Sequence, residues 1–325
     1  MKLPFEKVNR NIITKKEETT NPDYGQNPNE REVKDLLELG VIVLNKPSGP
    51  TSHQVSDYVK RILDLSKAGH SGTLDPGVTG VLPIALGRST RIVQVLLNAG
   101  KEYICLMHLH DEFDEKTIKT KMEELVGKIQ QIPPIKSAVK RQKRTREIYY
   151  LEILEIEGKD VLFQVGCQAG TYIRKLCHDF GQSLNSGAHM QELVRTKAGP
   201  FQAKDWISLH DLKDAKEEGK LKEIIKPVET AVEHISKIWI SDNAVDSICH
   251  GALLSVPAIS KFHDNIDIGN TVAIMTLKDE LIAIGTAKMN AINIQMQTKG
   301  IAVGNTKVFM ERGTYPKYEK SSDNN

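Results

Sequence analysis

Residues 68–80 read A-G-H-S-G-T-L-D-P-G-V-T-G, with four glycines, one proline and a single carboxylate, Asp75. Glycines let backbone come close to a ligand, so a lone carboxylate among them suits a nucleophile or a general base. The same Asp-Pro-Gly also makes a turn with no chemistry, Asp bonding to nearby backbone and Pro presetting its dihedral angle. Both readings stand at this point. A second cluster follows: Lys136, Lys140, Arg141, Lys143, Arg144 and Arg146 fall close together, with Glu147 only at the edge. Such a run is either a solvated loop or a clamp for phosphates. His108 and His110 share one face of a strand, but no third ligand lies nearby, so no metal is expected. The glycine-rich loop lacks the Gly-Lys-Ser/Thr ending that cradles a nucleotide, and no cofactor is implied.

The elements that must position these residues are legible in outline. Val41–Leu44 is a short apolar run entering the turn Pro47-Ser48-Gly49-Pro50, which predicts a buried strand. Thr51 and Ser52 offer an N-cap for a helix with apolar positions at Val55, Tyr58, Val59, Ile62 and Leu63. A strand is expected over Tyr103–Leu109 and a helix over Thr117–Val126. Two adjacent strands, Ile148–Ile156 and Val161–Cys167, flank a Glu157-Gly158-Lys159-Asp160 turn. Ile173, Leu176, Cys177, Phe180 and Leu184 then mark the apolar face of another helix.

Length and composition bound what these elements build. A chain of 325 residues favours a main domain with a smaller one appended. With 39% hydrophobic and 26% charged residues it is an ordinary globular sequence, and disorder is only a local question. No stretch is apolar enough to span a bilayer, Met1–Arg10 is too charged for a signal peptide, and a cytoplasmic place is expected. Cys105, Cys167, Cys177 and Cys249 show no C-x-x-C pairing, so they read as free thiols. A net charge of +2 decides nothing about partners, because it averages over faces that differ. The expected organisation is a flexible extension over 1–35, with Thr14–Glu30 an arm or a wrapping segment. A main domain over 36–235, a small β-barrel over 236–316 and a disordered tail over 317–325 follow.

Five motifs in order carry a resemblance: Asn45-Lys46-Pro47-Ser48-Gly49, Gly72-Thr73-Leu74-Asp75-Pro76, Lys101-Glu102-Tyr103, Pro133-Pro134-Ile135-Lys136-Ser137-Ala138 and Gly170-Thr171-Tyr172-Ile173-Arg174. Together they resemble the TruB family of pseudouridine synthases, and within it the dyskerin branch that serves archaeal and eukaryotic H/ACA ribonucleoproteins. Gly251-Ala252, Gly269-Asn270-Thr271-Val272, Gly285 and Val308-Phe309-Met310-Glu311-Arg312-Gly313 resemble a PUA RNA-binding domain. The resemblance implies an α+β fold, with a mixed, mainly antiparallel central sheet and an appended PUA β-barrel. The short polar end favours an archaeal source.

What the resemblance implies for the site is specific. Asp75 is the catalytic carboxylate, Arg174 its bidentate partner, and Tyr103 the ring that stacks on uracil and accepts or relays the C5 proton. As a lone helical residue, Arg174 would by default point to solvent, and Tyr103 would be an ordinary strand tyrosine. His70 and Tyr172 line the substrate, although His70 reads equally as a structural loop histidine. Leu193 packs either against the base or in the core, and Lys46 either steers phosphate or buttresses the turn. The basic run grips RNA. Implied partners are an H/ACA guide RNA, an rRNA or tRNA substrate, a small zinc-containing protein, a β-barrel protein and a kink-turn-binding ribosomal-type protein. Two other readings are a stand-alone synthase acting on the tRNA T-loop and an RNA-binding scaffold without activity.

Overall fold

The computed structural model describes residues 1–133 and 142–317. Lys136, Lys140 and Arg141 of the basic run, and residues 318–325 of the 317–325 tail, lie outside the described residues. The chain forms two compact units, one made of Met1–Lys7, Ile42–Ile84 and Val93–Gly219, the other of Val8–Val41, Ala85–Ile92 and the chain from Lys220 onward.

The first unit is built on a sheet whose strands run in the order Gly40–Lys46, Thr79–Leu86, Ala188–Ala198, Lys101–Leu109, Asp160–Cys167, Arg144–Glu157 and Gly127–Gln131. Thr79–Leu86 and Ala188–Ala198 are parallel, and every pair from Ala188–Ala198 outward is antiparallel. The expected strand pair is a long hairpin closing at Gly158, which takes φ +56. Helix Ile173–Ser183 buries Ile173, Leu176, Cys177 and Phe180, the i, i+3, i+4, i+7 stripe expected from the sequence. They join Cys105, Met107, Phe163, Val165 and Leu193 in one apolar core that also includes Leu74 and Val78, on either side of Asp75. The loop is therefore anchored in the core at both shoulders. Helix Ser52–Ile62 starts where expected, with Thr51 and Gln54 forming a reciprocal capping box.

The second unit is a seven-stranded sheet in the order Ile12–Thr14, Ile259–His263, Ser236–Ile240, Thr271–Met275, Leu281–Ala287, Ile301–Val308 and Leu254–Ser255. It closes over a core of Ile238, Ile248, Phe262, Ile274, Ile282 and Val303. Of the two readings of the extension, flexible arm or wrapping segment, its contacts support the second. Ile12–Thr14 pairs with Lys261–His263, and Lys15 Nζ donates to the carbonyls of Gln295 and Gln297 at 2.9 and 2.8 Å. Buried Arg31 grips Glu229 through two bonds of 2.7 and 2.9 Å, and Glu229 also accepts the Leu281 N–H. Residues 220–235 group with this unit by their contacts, because Lys226–Pro227 pairs with Gly40–Val41 and Glu229 with Arg31. Strand Ile301–Val308 ends at Val308, and Phe309 and Met310 continue as a loop.

Candidate active site

The turn at Asp75 is suspended by buried side chains from three elements. Ser52, at the start of its helix, donates from Oγ to the Leu74 carbonyl at 3.1 Å and accepts the Leu74 N–H at 2.9 Å. Lys46, at the end of strand Gly40–Lys46 and fully buried, donates from Nζ to the carbonyls of Pro47, Pro76 and Val78 at 2.8, 3.0 and 2.9 Å. Burial lowers the Lys46 pKa, while the Asp75 charge works against that shift. Of the two sequence readings for Lys46, the buttress is the one its contacts support. Arg195, from strand Ala188–Ala198 and 1% exposed, donates to the carbonyls of Val81 at 2.7 Å and Gly72 at 3.0 Å. An ordinary Asp-Pro-Gly turn needs none of this, and such a set of tethers holds one carboxylate in a fixed place.

Opposite the loop, helix Ile173–Ser183 begins at Tyr172, whose backbone is locked to Gln131. The Tyr172 N–H donates to Gln131 Oε1 at 3.0 Å, and Gln131 Nε2 donates to the Tyr172 carbonyl at 3.1 Å. Arg174 thus sits in the first turn, where the helix dipole is positive and a cation is disfavoured. It is ion-paired with Asp75 from its Nη2. The pair is open rather than buried, each side chain being 55% exposed. Little stability rests on it, about 1 kcal/mol or less for an exposed pair. A residue that offends its helix and stabilises little is placed for another reason.

Tyr103 lies in strand Lys101–Leu109, half-buried against the core. Burial pushes its phenol pKa up, the nearby Arg195 guanidinium opposes this, and the Asp75 charge adds to it. Asp75 is thus paired with Arg174, and its charge reaches Tyr103. Leu193 is 9% exposed and packs in the core with Leu74, which is the default reading for it. Of the basic run, Lys143 is exposed, and Arg144 and Arg146 lie in the strand paired with Gly127–Gln131. His108 faces Asp160 at 2.6 Å and His110 faces His189 at 3.2 Å.

His70 stacks edge-on against His53, with ring centroids 4.6 Å apart, and its Nε2 lies 3.4 Å from Thr73 Oγ1. Burial, then the His53 and Arg195 charges, push its pKa down to about 4. A histidine lowered in the folded state stays neutral, so stability is full above its unfolded pKa and declines as pH falls toward 4. The His70 ring proton signals should accordingly stay flat from about pH 8 to pH 5 in an NMR titration. A midpoint near 6.5, the ordinary value for the group, would show the ring to be solvated.

Sequence reasoning missed the residues behind the site. Arg195 follows Leu193 by two positions in a strand and shares its face, but nothing local distinguishes it from a surface arginine. Buried Glu102, beside Tyr103, accepts from Tyr150 Oη and from Thr196 Oγ1 at 2.8 Å, and lies 3.5 Å from Lys197 Nζ. Lys197 in turn reaches Glu6 at 3.1 Å. Lys101, also buried, donates to the carbonyls of Leu96, Leu97 and Ala99 at 3.0, 2.8 and 2.7 Å, and burial lowers its pKa to about 7. Of these, only the Lys101-Glu102-Tyr103 triplet gave any signal.

Residues 60–173 match the N-terminal domain of TruB family pseudouridylate synthase, and 174–233 match the tRNA pseudouridylate synthase B C-terminal domain. Residues 236–309 match the PUA domain and 1–56 the DKCLD (NUC011) domain. A probable tRNA pseudouridine synthase B of Methanothermobacter thermautotrophicus is 53% identical over 94% of this chain and 97% of its own. That of Pyrococcus horikoshii is 54% identical over 95% of this chain and 96% of its own. A solved chain from a Cbf5-Nop10-Gar1 complex superposes with a TM-score of 0.92 at 53% identity, covering 96% of this chain and 97% of that one. Another, from an H/ACA RNP bound to a substrate RNA containing 2′-deoxyuridine, also gives 0.92, at 50% identity over 98% and 100% of the two chains. Motif order, tethered loop and full-length similarity agree: the chain belongs to the TruB family of pseudouridine synthases, with a PUA domain following the catalytic domains.

Proposed function

We propose that the chain is the catalytic subunit of a guide-RNA-dependent H/ACA ribonucleoprotein, and that Asp75 carries the isomerisation of uridine to pseudouridine. The observation that supports it is the pairing of Asp75 with Arg174 on a loop tethered by Ser52, Lys46 and Arg195. The reaction breaks the C1′–N1 bond, turns the base, and joins C1′ to C5. The C5 proton leaves and N1 gains one, so the product is an isomer and no water is consumed. Asp75 either attacks C1′ or removes a ribose proton to open a glycal route. Arg174 orients the carboxylate, and docked RNA excludes water from the pair, which strengthens its attraction. Tyr103 stacks on the uracil face and receives or relays the C5 proton. Neutral His70 and Tyr172 line the entry, and Leu193 gives the pocket an apolar floor.

A uridine stacked in folded RNA is out of reach, so the target must be extruded or presented unpaired. We assign its grip to the basic residues from Lys136 to Arg146, and the hold on guide RNA to the barrel at 236–316. Solved relatives occur in complexes with Nop10, Gar1 and substrate RNA, which supports small protein partners and RNA for this chain too. Among the described residues no helix is long and apolar enough to cross a membrane. A cytoplasmic place suits four cysteines that are all free and buried.

The test is reconstitution with guide RNA, partner proteins and a substrate carrying one target uridine, beside a reaction of the lone protein with unmodified tRNA. Pseudouridine only where the guide pairs supports the proposal. Product in the T-loop without a guide would favour the stand-alone reading. No product in either, with Asp75→Asn indistinguishable from wild type, would leave only the scaffold reading.

A further inference from the structure

The two sides of the site, the Asp75 loop and the Tyr103 ring, meet at one buried cation. Arg195 enters from strand Ala188–Ala198, where it pairs with Gly80 of strand Thr79–Leu86 and registers with Tyr103 of the strand on its other side. Gly80 makes this approach possible. A Cβ there would lie 2.3 Å from the Arg195 carbonyl oxygen, and its φ of +108 excludes other residues independently. The Arg195 side chain then runs under the loop. Nε donates to the Val81 carbonyl at 2.7 Å and Nη2 to the Gly72 carbonyl at 3.0 Å, while Tyr103 is its cross-strand partner and feels its charge. At 1% exposed it is the largest fully buried side chain of the protein among the described residues.

Desolvating a guanidinium costs more than packing an apolar group of the same size. Fold stability alone would be served by a leucine or methionine at this place, with the carbonyls bonded elsewhere. A planar donor fork reaches both carbonyls at fixed angles, which a lysine cannot do. The two carbonyls belong to the start of the loop that presents Asp75 and to the strand that leaves it, and its cross-strand neighbour is the tyrosine proposed to meet the base.

We infer that Arg195 is a positioning residue that couples the Asp75 loop to the Tyr103 hydroxyl, fixing carboxylate and phenol relative to one another for the isomerisation. It touches no substrate. The inference rests on the proposed roles of Asp75 and Tyr103, so wild type and Tyr103→Phe are measured beside the variants.

The experiment compares Arg195→Met, Arg195→Lys and Gly72→Ala in the reconstituted complex. Single-turnover rate and RNA affinity are measured for each, and the Tyr103 phenol is followed by NMR with ring-labelled tyrosine assigned through Tyr103→Phe. Gly72→Ala disturbs the same contact from the loop side without removing the charge. Its Cβ would lie 3.3 Å from Arg195 Nη1 at a φ of +77. Arg195→Met and Gly72→Ala should each lose about 100-fold in rate with RNA affinity kept, the scale set by misplacing reacting groups. Arg195→Lys should recover only part. Because Arg195 lowers the Tyr103 pKa, its loss should move that phenol upward, a readout that a merely structural arginine would leave in place. Combined with Tyr103→Phe, Arg195→Met should cost less than it does alone.

If Arg195→Met does not fold, Arg195→Lys and Gly72→Ala carry the test. Full rate in any folded variant, an unmoved phenol, or rate and affinity lost in equal measure would overturn the inference. An inactive wild type would instead sink the proposed function itself.

Discussion

Asp75→Asn is expected to lower the single-turnover rate of pseudouridine formation by about 10,000-fold, the upper end of what one positioned proton-transfer group supplies. Asparagine matches the size of the side chain and can still face Arg174, but a neutral amide neither attacks C1′ nor accepts a ribose proton. The loop should keep its shape, because Ser52, Lys46 and Arg195 bind backbone carbonyls and not the carboxylate. The melting temperature should hardly move, since an exposed ion pair contributes little. RNA affinity should be kept or slightly raised, because a negative charge is removed from beside a polyanion. The measurement is release of the C5 proton from labelled uridine in RNA, with binding followed separately. Turnover within tenfold of wild type would remove Asp75 from the chemistry on either route.

The parts of the site that were legible in the sequence are those with a local signature. The lone carboxylate announced itself by the glycines around it, and helix Ile173–Ser183 by its apolar stripe. The hairpin was fixed by a Gly turn between two alternating runs, and the resemblance then assigned roles to Asp75, Tyr103 and Arg174. What could not be read was long-range. Lys46 sits beside Pro47, but its bonds to Pro76 and Val78 span about thirty residues of chain. Arg195 reaches back 114 residues to Val81 and 123 to Gly72. No periodicity reports such a contact, because it is made only when parallel strands come together.

Composition left the extension between two readings, arm and wrapping segment, for a related reason. Ile12–Thr14 is three residues long and has no period of its own, and it becomes a strand only because Ile259–His263 offers a free edge. The polar stretch after it has few apolar residues, so composition read it as flexible. Its order comes from single long-range anchors such as Arg31 on Glu229, which composition averages away. The same anchors group residues 220–235 with the extension, because Glu229 lies where Arg31 docks.

Arg174→Ala should separate catalysis from folding more sharply than any other change in this protein. The rate should fall by about 100- to 1,000-fold, the usual loss when one preorganised charged contact is removed from a reacting centre. RNA affinity should be largely kept, because the contact is local to Asp75 and not to phosphates. Stability should not fall. A positive side chain in the first turn opposes the helix dipole, and alanine is the better helix former, so the melting temperature should stay level or rise slightly. Arg174→Lys should recover little, because an ammonium on a flexible stem lacks the planar fork that fixes a carboxylate. A protein that is as stable as wild type, binds RNA as well and turns over at about a hundredth of the rate can have lost only the orientation or charge of its carboxylate. If affinity fell as far as rate, Arg174 would belong to the grip on RNA, and the pairing with Asp75 would be incidental to the chemistry.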